Sequence, residues 1–186
     1  MITKGWDLPN VGLVGIIDAD SLLSIPDFKS DERAFQNIVQ LIGRAGRTAS
    51  HCPGKAVIQT FNPENFVLKT AAEMNFENFY QKEIRERKTL KYPPFSKLVK
   101  LLFRNRSRTR TDSETASIYK FLKNLPSKNI QVLPPHYPLV PKIRDTFRKQ
   151  IIIKILNSTE IPAPLEKFLK KLSADWAIDI DPISII

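Results

Sequence analysis

The sequence predicts a mixed fold in two parts, an α/β segment followed by an α+β domain, and three observations carry that expectation. The first is the apolar run Val11-Gly-Leu-Val-Gly-Ile-Ile17, which ends in Asp18-Ala-Asp20 and precedes a helical pattern and a second apolar run. The second is Tyr92-Pro93-Pro94-Phe95, where two prolines forbid a helix to continue. The third is the order strand, helix, strand, strand, helix, strand over residues 96–186.

Val11–Ile17 has the pattern of a strand buried on both faces of a parallel sheet. From Ser30, read as N-cap ahead of Asp31 and Glu32, apolar residues recur at Phe35, Ile38, Val39 and Ile42, the spacing of one helix face. After the Pro53-Gly54 turn, Lys55–Phe61 reads as the next strand, and strand, helix, strand implies a right-handed crossover. Glu64–Leu90 reads as two helical pieces, the second marked by Phe76, Phe79, Tyr80 and Ile84. Beyond the prolines, Lys97–Phe103 suits a strand, Asp112–Lys123 a helix, and Ile130–Leu133 and Phe147–Leu156 two strands. Pro162–Leu172 then suits a helix and Trp176–Ile180 a last strand, while Pro134–Pro138 reads as a stiff connection. That order is the split βαβ arrangement of ferredoxin-like folds, in which two helices cover one face of a four-stranded antiparallel sheet.

The chain has 186 residues, a net charge of +10, 42% hydrophobic residues and one Cys. No apolar run approaches the roughly 20 residues of a membrane span, so no membrane association is expected. One Cys builds neither an intramolecular disulfide nor a thiolate-rich zinc site, and the opening residues lack a secretory pattern, so the expected compartment is the cytosol. Residues 1–81 carry seven basic and nine acidic side chains, 82–154 carry 19 and five, and 155–186 carry three and five. A middle segment at +14 between near-neutral flanks is a localised field that suits a polyanion, with nucleic acid as first candidate and a merely solvated face as alternative.

The chemistry-bearing string is Gln40-Leu-Ile-Gly43-Arg44-Ala-Gly46-Arg47 at the end of the first long helix. On a helical wheel Gln40, Arg44 and Arg47 fall in one wedge, nearly opposite Phe35, Ile38, Val39 and Ile42. Gly43 and Gly46 remove side chains beside the guanidinium groups, so a phosphate can approach the backbone while Arg forks bind its oxygens. An Arg offered to a transferring phosphoryl group stabilises transition-state charge, worth on the order of 10³ to 10⁵ in rate where the rest of the site is present.

This string resembles motif VI of superfamily 2 helicases, and Thr3-Lys4-Gly5-Trp6-Asp7-Leu8-Pro9-Asn10-Val11 resembles their motif V. Together with Asp18-Ala-Asp20, Pro53-Gly54, Gln59-Thr60, Tyr92-Pro-Pro-Phe95 and Asp179-Ile-Asp181-Pro182, the chain is similar to the C-terminal part of the PriA family of primosomal replication-restart DNA helicases. The resemblance implies that residues 1–61 end a second RecA-like helicase lobe, that 62–95 are a helical connector, and that 96–186 form the βαββαβ domain. It implies Arg47 as arginine finger with Arg44 beside it, Gly5, Asp7, Gln40 and Gly43 at the nucleotide, and Thr3 and Lys4 towards the DNA strand. The family activity implied is ATP-dependent 3′→5′ unwinding at stalled or repaired forks in the bacterial cytoplasm, on the nucleoid. Partners implied are forked or single-stranded DNA, single-stranded DNA-binding protein and other primosome proteins.

A glycine-rich loop with Lys and Ser/Thr and an acidic box for Mg²⁺ are both missing from these 186 residues, and Gly54-Lys55-Ala56 lacks the spacing and hydroxyl of a P-loop. ATP and Mg²⁺ are therefore expected only with a first lobe, and the chain alone is expected not to hydrolyse ATP. The zinc that the resemblance implies has no ligands here: Cys52, His51 and His136 do not make a site, and Asp18 and Asp20 are read as turn caps rather than metal ligands. A chain opening within motif V suggests a fragment or a split reading frame. A non-catalytic DNA-binding or primosome adaptor is the alternative, and an RNA-binding protein of ribosomal type is a third that leaves Gln40–Arg47 unexplained.

Arg104-Asn-Arg106-Ser-Arg108-Thr-Arg110 is expected to be a loop or hairpin-like extension with four clustered cations for phosphates, without base-reading geometry, a merely solvated loop being the alternative. Lys142 and Arg144, with Arg148 and Lys149 near Tyr137 and Phe147, are further DNA-binding candidates in which the rings supply stacking. By the family resemblance, Arg148 and Gln150 are candidates for receiving the acidic tail of single-stranded DNA-binding protein, although Thr146 stands where the family usually has Arg.

Overall fold

The computed structural model describes residues 11–45, 54–157 and 160–186. The chain divides into two compact units, residues 1–86 and 87–186.

In the first unit, β1 (Leu13–Ile16) and β2 (Lys55–Ile58) pair in parallel, Leu13 opposite Lys55 and Ile16 opposite Ile58, as a crossover through a helix requires. Between them lie a short α1 (Asp20–Leu23), which the sequence pattern did not announce, and α2 (Ser30–Ile42). Two expectations need correction. Ser30 is the first helical residue rather than the N-cap, because its Oγ donates to the Ile25 carbonyl and accepts from the Asp27 amide, which ties it to the preceding loop. The first strand is not buried on both faces: Ile16 is buried while Leu13 is 62% exposed, because the described helices of this unit pack on one side only.

The two helical pieces are α3 (Phe66–Ala72), capped by the Asn65 side chain on the Val67 and Leu68 amides, and α4 (Phe76–Leu90), which runs across the division between the units. They are more than a connector. Val67, Leu68, Ala71 and Phe79 share one core with Ile16, Ala34, Phe35 and Ile38. Phe35 stacks on Phe79 with centroids 4.1 Å apart and takes the edge of Phe76 at 5.1 Å.

In the second unit a sheet of antiparallel strands runs in the order β4 (Ile130–Val132), β6 (Thr146–Leu156), β3 (Ser96–Asn105), β7 (Trp176–Ile180). The crossovers are α5 (Arg108–Lys123) and α6 (Ala163–Leu169). Alternation along the strands sends Val99, Leu101, Phe103, Ile151, Ile153 and Ile155 into a core with Leu122 of α5 and Leu165 and Leu169 of α6. The opposite face carries Leu98, Lys100, Gln150, Ile152 and Lys154, and main-chain carbonyls cover its polar members. Lys154 donates to Leu90 O, Lys100 to Ser184 O and Ile186 O, and Gln150 to Ile185 O.

Two further differences follow from turn chemistry. Lys142–Ile143 forms a short strand, β5, joined to β6 by the two-residue turn Arg144-Asp145, with Arg144 at φ 52°. The proline-rich stretch before it is also paired with the sheet, since His136 and Gln150 exchange both backbone hydrogen bonds.

Candidate nucleic-acid interface

The first group of expected site residues lies at the end of α2. Gln40 is exposed, and Gly43 is the helix C-cap with right-handed φ −63°. A Cβ at Gly43 would stand 3.3 Å from Val39 O, so a larger residue would crowd the cap. The helix stops at Ile42, and Arg44 sits half-buried in the turn beyond, its amide on Leu41 O at 3.1 Å. The wheel that set Arg44 in line with Gln40 therefore applies only as far as Ile42. Thr3, Lys4, Gly5, Asp7 and Arg47 lie outside the described residues, as do His51 and Cys52.

Where β1 and β2 end, the structure brings Asp18-Ala-Asp20 against Gln59-Thr60. Ala19 N donates to Gln59 O at 3.0 Å, and Asp20 accepts from Thr60 Oγ1 at 2.8 Å and from Phe61 N at 2.9 Å. The Phe61 amide, then the Thr60 hydroxyl, hold the Asp20 carboxyl below its usual range. Both oxygens are thus used as a latch between strand ends, and Asp18 caps the Ser21 amide at 3.3 Å. A second acidic group went unnoticed in the sequence: Asp31, Glu83 and Glu86 bring carboxylate oxygens within 4.8 Å of one another. Burial, then the Glu86 charge, raise the Asp31 carboxyl, with Lys82 opposing.

The basic stretch at 104–110 is not a loop. Arg104 is the penultimate residue of β3, Arg106 lies in a tight turn, and Arg108 and Arg110 occupy the first turn of α5. Ser107 is the N-cap that makes this possible, its Oγ accepting from Arg110 N at 3.2 Å while Asn105 Oδ1 takes the Ser107 amide at 2.9 Å. Two of these cations are partly offset: Arg110 Nη2 meets Asp175 Oδ2 at 3.2 Å, and Arg108 Nε lies 4.0 Å from Asp112 Oδ2.

Asp112 is the residue that sequence reasoning missed. Its Oδ1 accepts from Lys149 Nζ at 2.6 Å and from Tyr137 Oη at 2.8 Å. Lys149, then Tyr137, hold its carboxyl below the usual range. The Tyr137 ring in turn lies 5.0 Å from Lys149 Nζ and 5.8 Å from the Arg108 guanidinium carbon. The only local signal was the i, i+4 spacing of Arg108 and Asp112, whereas Tyr137 and Lys149 arrive from 25 and 37 residues away.

The remaining candidates cluster on the β5–β6 hairpin. Lys142 Nζ lies 5.2 Å from the Phe147 ring centroid and 3.4 Å from Asp145, and Arg144 is exposed at the turn. Arg148 donates from Nε and Nη2 to Val140 O, the first at 3.1 Å. Gln150 is completely buried, its Nε2 on His136 Nε2 and Ile185 O, so of the two residues expected to receive a partner only Arg148 is at the surface. Cations beside aromatic rings, on an exposed hairpin and a helix start, form a surface able to hold phosphates and to stack a base. No described helix is long and apolar enough to cross a membrane.

Residues 88–183 match the family model described as Primosomal protein N C-terminal domain. The chain is 36% identical over 182 residues to the Replication restart protein PriA of Thermotoga maritima, an alignment covering 98% of this chain and 24% of that protein. It is 34% identical over 188 residues to the protein of the same name from Synechocystis sp., 100% of this chain and 22% of that one. With that of Bacillus subtilis it shares 36% over 170 residues, 91% and 21% respectively. The chain thus spans between about a fifth and a quarter of the length of these relatives.

Proposed function

Because this chain belongs to the primosomal protein N (PriA) family of replication restart proteins, whose C-terminal domain it carries, we propose that it is the C-terminal portion of an ATP-dependent 3′→5′ DNA helicase acting at stalled or repaired forks. In this reading the first unit ends a RecA-like lobe and the second is a ferredoxin-like domain that holds DNA and partners. The observation that carries it is the sequence string Gln40–Arg47, of which the described residues 40–45 close α2 and the turn beyond it, on a chain similar to PriA proteins from end to end. The strand order β4-β6-β3-β7 with two helical crossovers supports the ferredoxin-like assignment, since a split βαβ arrangement yields that order.

Arg47 would present its guanidinium to the γ-phosphate, with Arg44, Gln40 and Gly43 beside it and Gly5 and Asp7 coupling the nucleotide to a DNA strand held by Thr3 and Lys4. ATP with Mg²⁺ would supply the phosphoryl group whose transfer drives strand separation. Its cradle, a P-loop lysine and a metal-holding acidic box, is not among these 186 residues, and neither is a thiolate set for zinc. Forked or single-stranded DNA would meet Arg104, Arg106, Arg108, Arg110, Lys142 and Arg144. By the family resemblance alone, Arg148 is also a candidate for the acidic tail of single-stranded DNA-binding protein, while Gln150 is buried under His136 and Ile185.

The test is Arg47→Ala in the full-length protein assembled with a P-loop lobe. ATP turnover should fall by at least the roughly 10³-fold of a lost finger, with DNA affinity kept. Retained turnover would reject the finger. An upstream reading frame without a P-loop would favour the adaptor instead.

A further inference from the structure

In the antiparallel pairing of β3 with β6, Arg104 stands directly opposite Arg148. The backbone amide of Arg104 turns away to Asp175 O at 3.0 Å and that of Arg148 turns away to Pro141 O at 2.8 Å. The two residues therefore form a non-hydrogen-bonded pair, the kind in which facing Cα atoms approach to about 4.5 Å and side chains stand closest. Their side chains share the sheet face of Leu102 and Gln150, opposite the face that carries α5 and α6. Like charges in that position repel and weaken the pairing.

No acidic side chain relieves them. Among the described residues neither guanidinium has an ion pair, and the nearby acids are already engaged, Asp175 by Arg110 and Asp145 by Lys142. Arg148 is also fixed in orientation, because Nε and Nη2 both donate to Val140 O, and Nη1 is not used in that contact. Arg104 is exposed beside it.

We propose that Arg104 and Arg148 form a two-guanidinium clamp for one phosphodiester of a nucleic-acid backbone. The inference rests on the DNA-binding reading above and specifies one phosphate seat within it. A phosphodiester offers one non-bridging oxygen to each guanidinium, and its charge offsets the repulsion that the strand register builds in. An acidic protein tail is the weaker match, since the clamp lies in the segment with +14 charge, with Arg106 two residues beyond Arg104 to meet a following phosphate.

The experiment uses the 186-residue chain with Arg104→Gln, Arg148→Gln, the double variant and Arg104→Lys. Thermal unfolding is followed against inorganic phosphate at constant ionic strength, and the salt dependence of binding to a single-stranded oligonucleotide is measured by anisotropy. Phosphate should raise the melting temperature of the parent chain and of none of the variants, Arg104→Lys included, because a lysine keeps the charge but lacks the fork. Without phosphate the Gln variants should melt no lower than the parent. Each Gln change should weaken DNA binding about tenfold and reduce the salt slope by about 0.7, and the double variant should lose no more than one single, since one phosphate is involved. A slope loss in the double equal to the sum of both singles, or no phosphate response in the parent, overturns the clamp. Retained DNA slopes with lost binding of an acidic peptide would overturn it in favour of a protein partner. A phosphate response without any DNA binding supports the seat for free phosphate and overturns the DNA reading instead.

Discussion

The Lys154 ammonium lies 3.5 Å from the centroid of the Tyr92 ring and donates to Leu90 O at 2.7 Å. This nearly buried cation fastens the segment that ends in Tyr92-Pro-Pro-Phe95 onto the C-terminal part of β6. Removing the ring should cost about 2 kcal/mol for Tyr92→Leu, as read from urea unfolding of the chain. Burial, then the Lys91 charge, push the Lys154 ammonium below its ordinary 10.5. Between the lowered value and 10.5 the unfolded chain binds more protons, so this group makes stability rise with pH through that window. The stability of the parent relative to Lys154→Met should therefore increase on the alkaline side of neutrality; a constant difference would contradict the assignment.

Asp112 sits within a ring of cations and a tyrosine, so it has opposite effects on folding and on DNA. Its lowered carboxyl contributes stability that is present above the ordinary 3.8 and lost as pH falls through the folded value. Asp112→Asn should lower the melting temperature at pH 7 and remove part of its fall below pH 3.8, modestly, because the side chain is 41% exposed and solvent screens the pair. The same change frees Lys149 and Arg108, so DNA affinity should rise. An unchanged or lower affinity would mean that this surface does not meet DNA.

Asp20 latches the ends of β1 and β2 through Thr60 and Phe61. Asp20→Ala should lower the melting temperature of the first unit, and Thr60→Val should produce a smaller fall, since the Phe61 amide keeps its partner. Because the Asp20 carboxyl is held below 3.8, the stability it supplies should disappear as pH drops beneath that value. Equal melting curves for parent and Asp20→Ala at pH 7 would show that the latch is idle.

Ile153 lies in the C-terminal half of β6, fully buried in the core that α5, α6 and the neighbouring strands share. Ile153→Ala should cost about 2–5 kcal/mol by denaturant titration, from lost burial and the cavity left behind. A loss below about 1 kcal/mol would mean that the helices are not packed on this face.

Much of the fold was legible because local patterns carry it. Alternation along Lys97–Phe103 and Phe147–Leu156, the 3.6-residue spacing from Phe35 to Ile42 and the prolines at 93 and 94 act within a few residues, and each marks a real element or break. The basic stretch at 104–110 misled for a local reason: Ser107 looked like one more polar residue among arginines, yet it starts a helix.

Taken by itself, the sequence determined the order of the main elements though not α1 or β5, the family resemblance through the Gln40–Arg47 string, and the concentration of positive charge between residues 82 and 154, all properties of neighbouring residues. Only the tertiary structure decided which of those charges are free to meet a ligand. Asp112 meets Lys149 across 37 residues and Lys154 meets Tyr92 across 62, while strand register sets Arg104 against Arg148 across 44. Alternation marks a strand locally, but which strand it pairs with and in what register is fixed by hydrogen bonding and burial between distant segments, and the local order of residues does not name that partner.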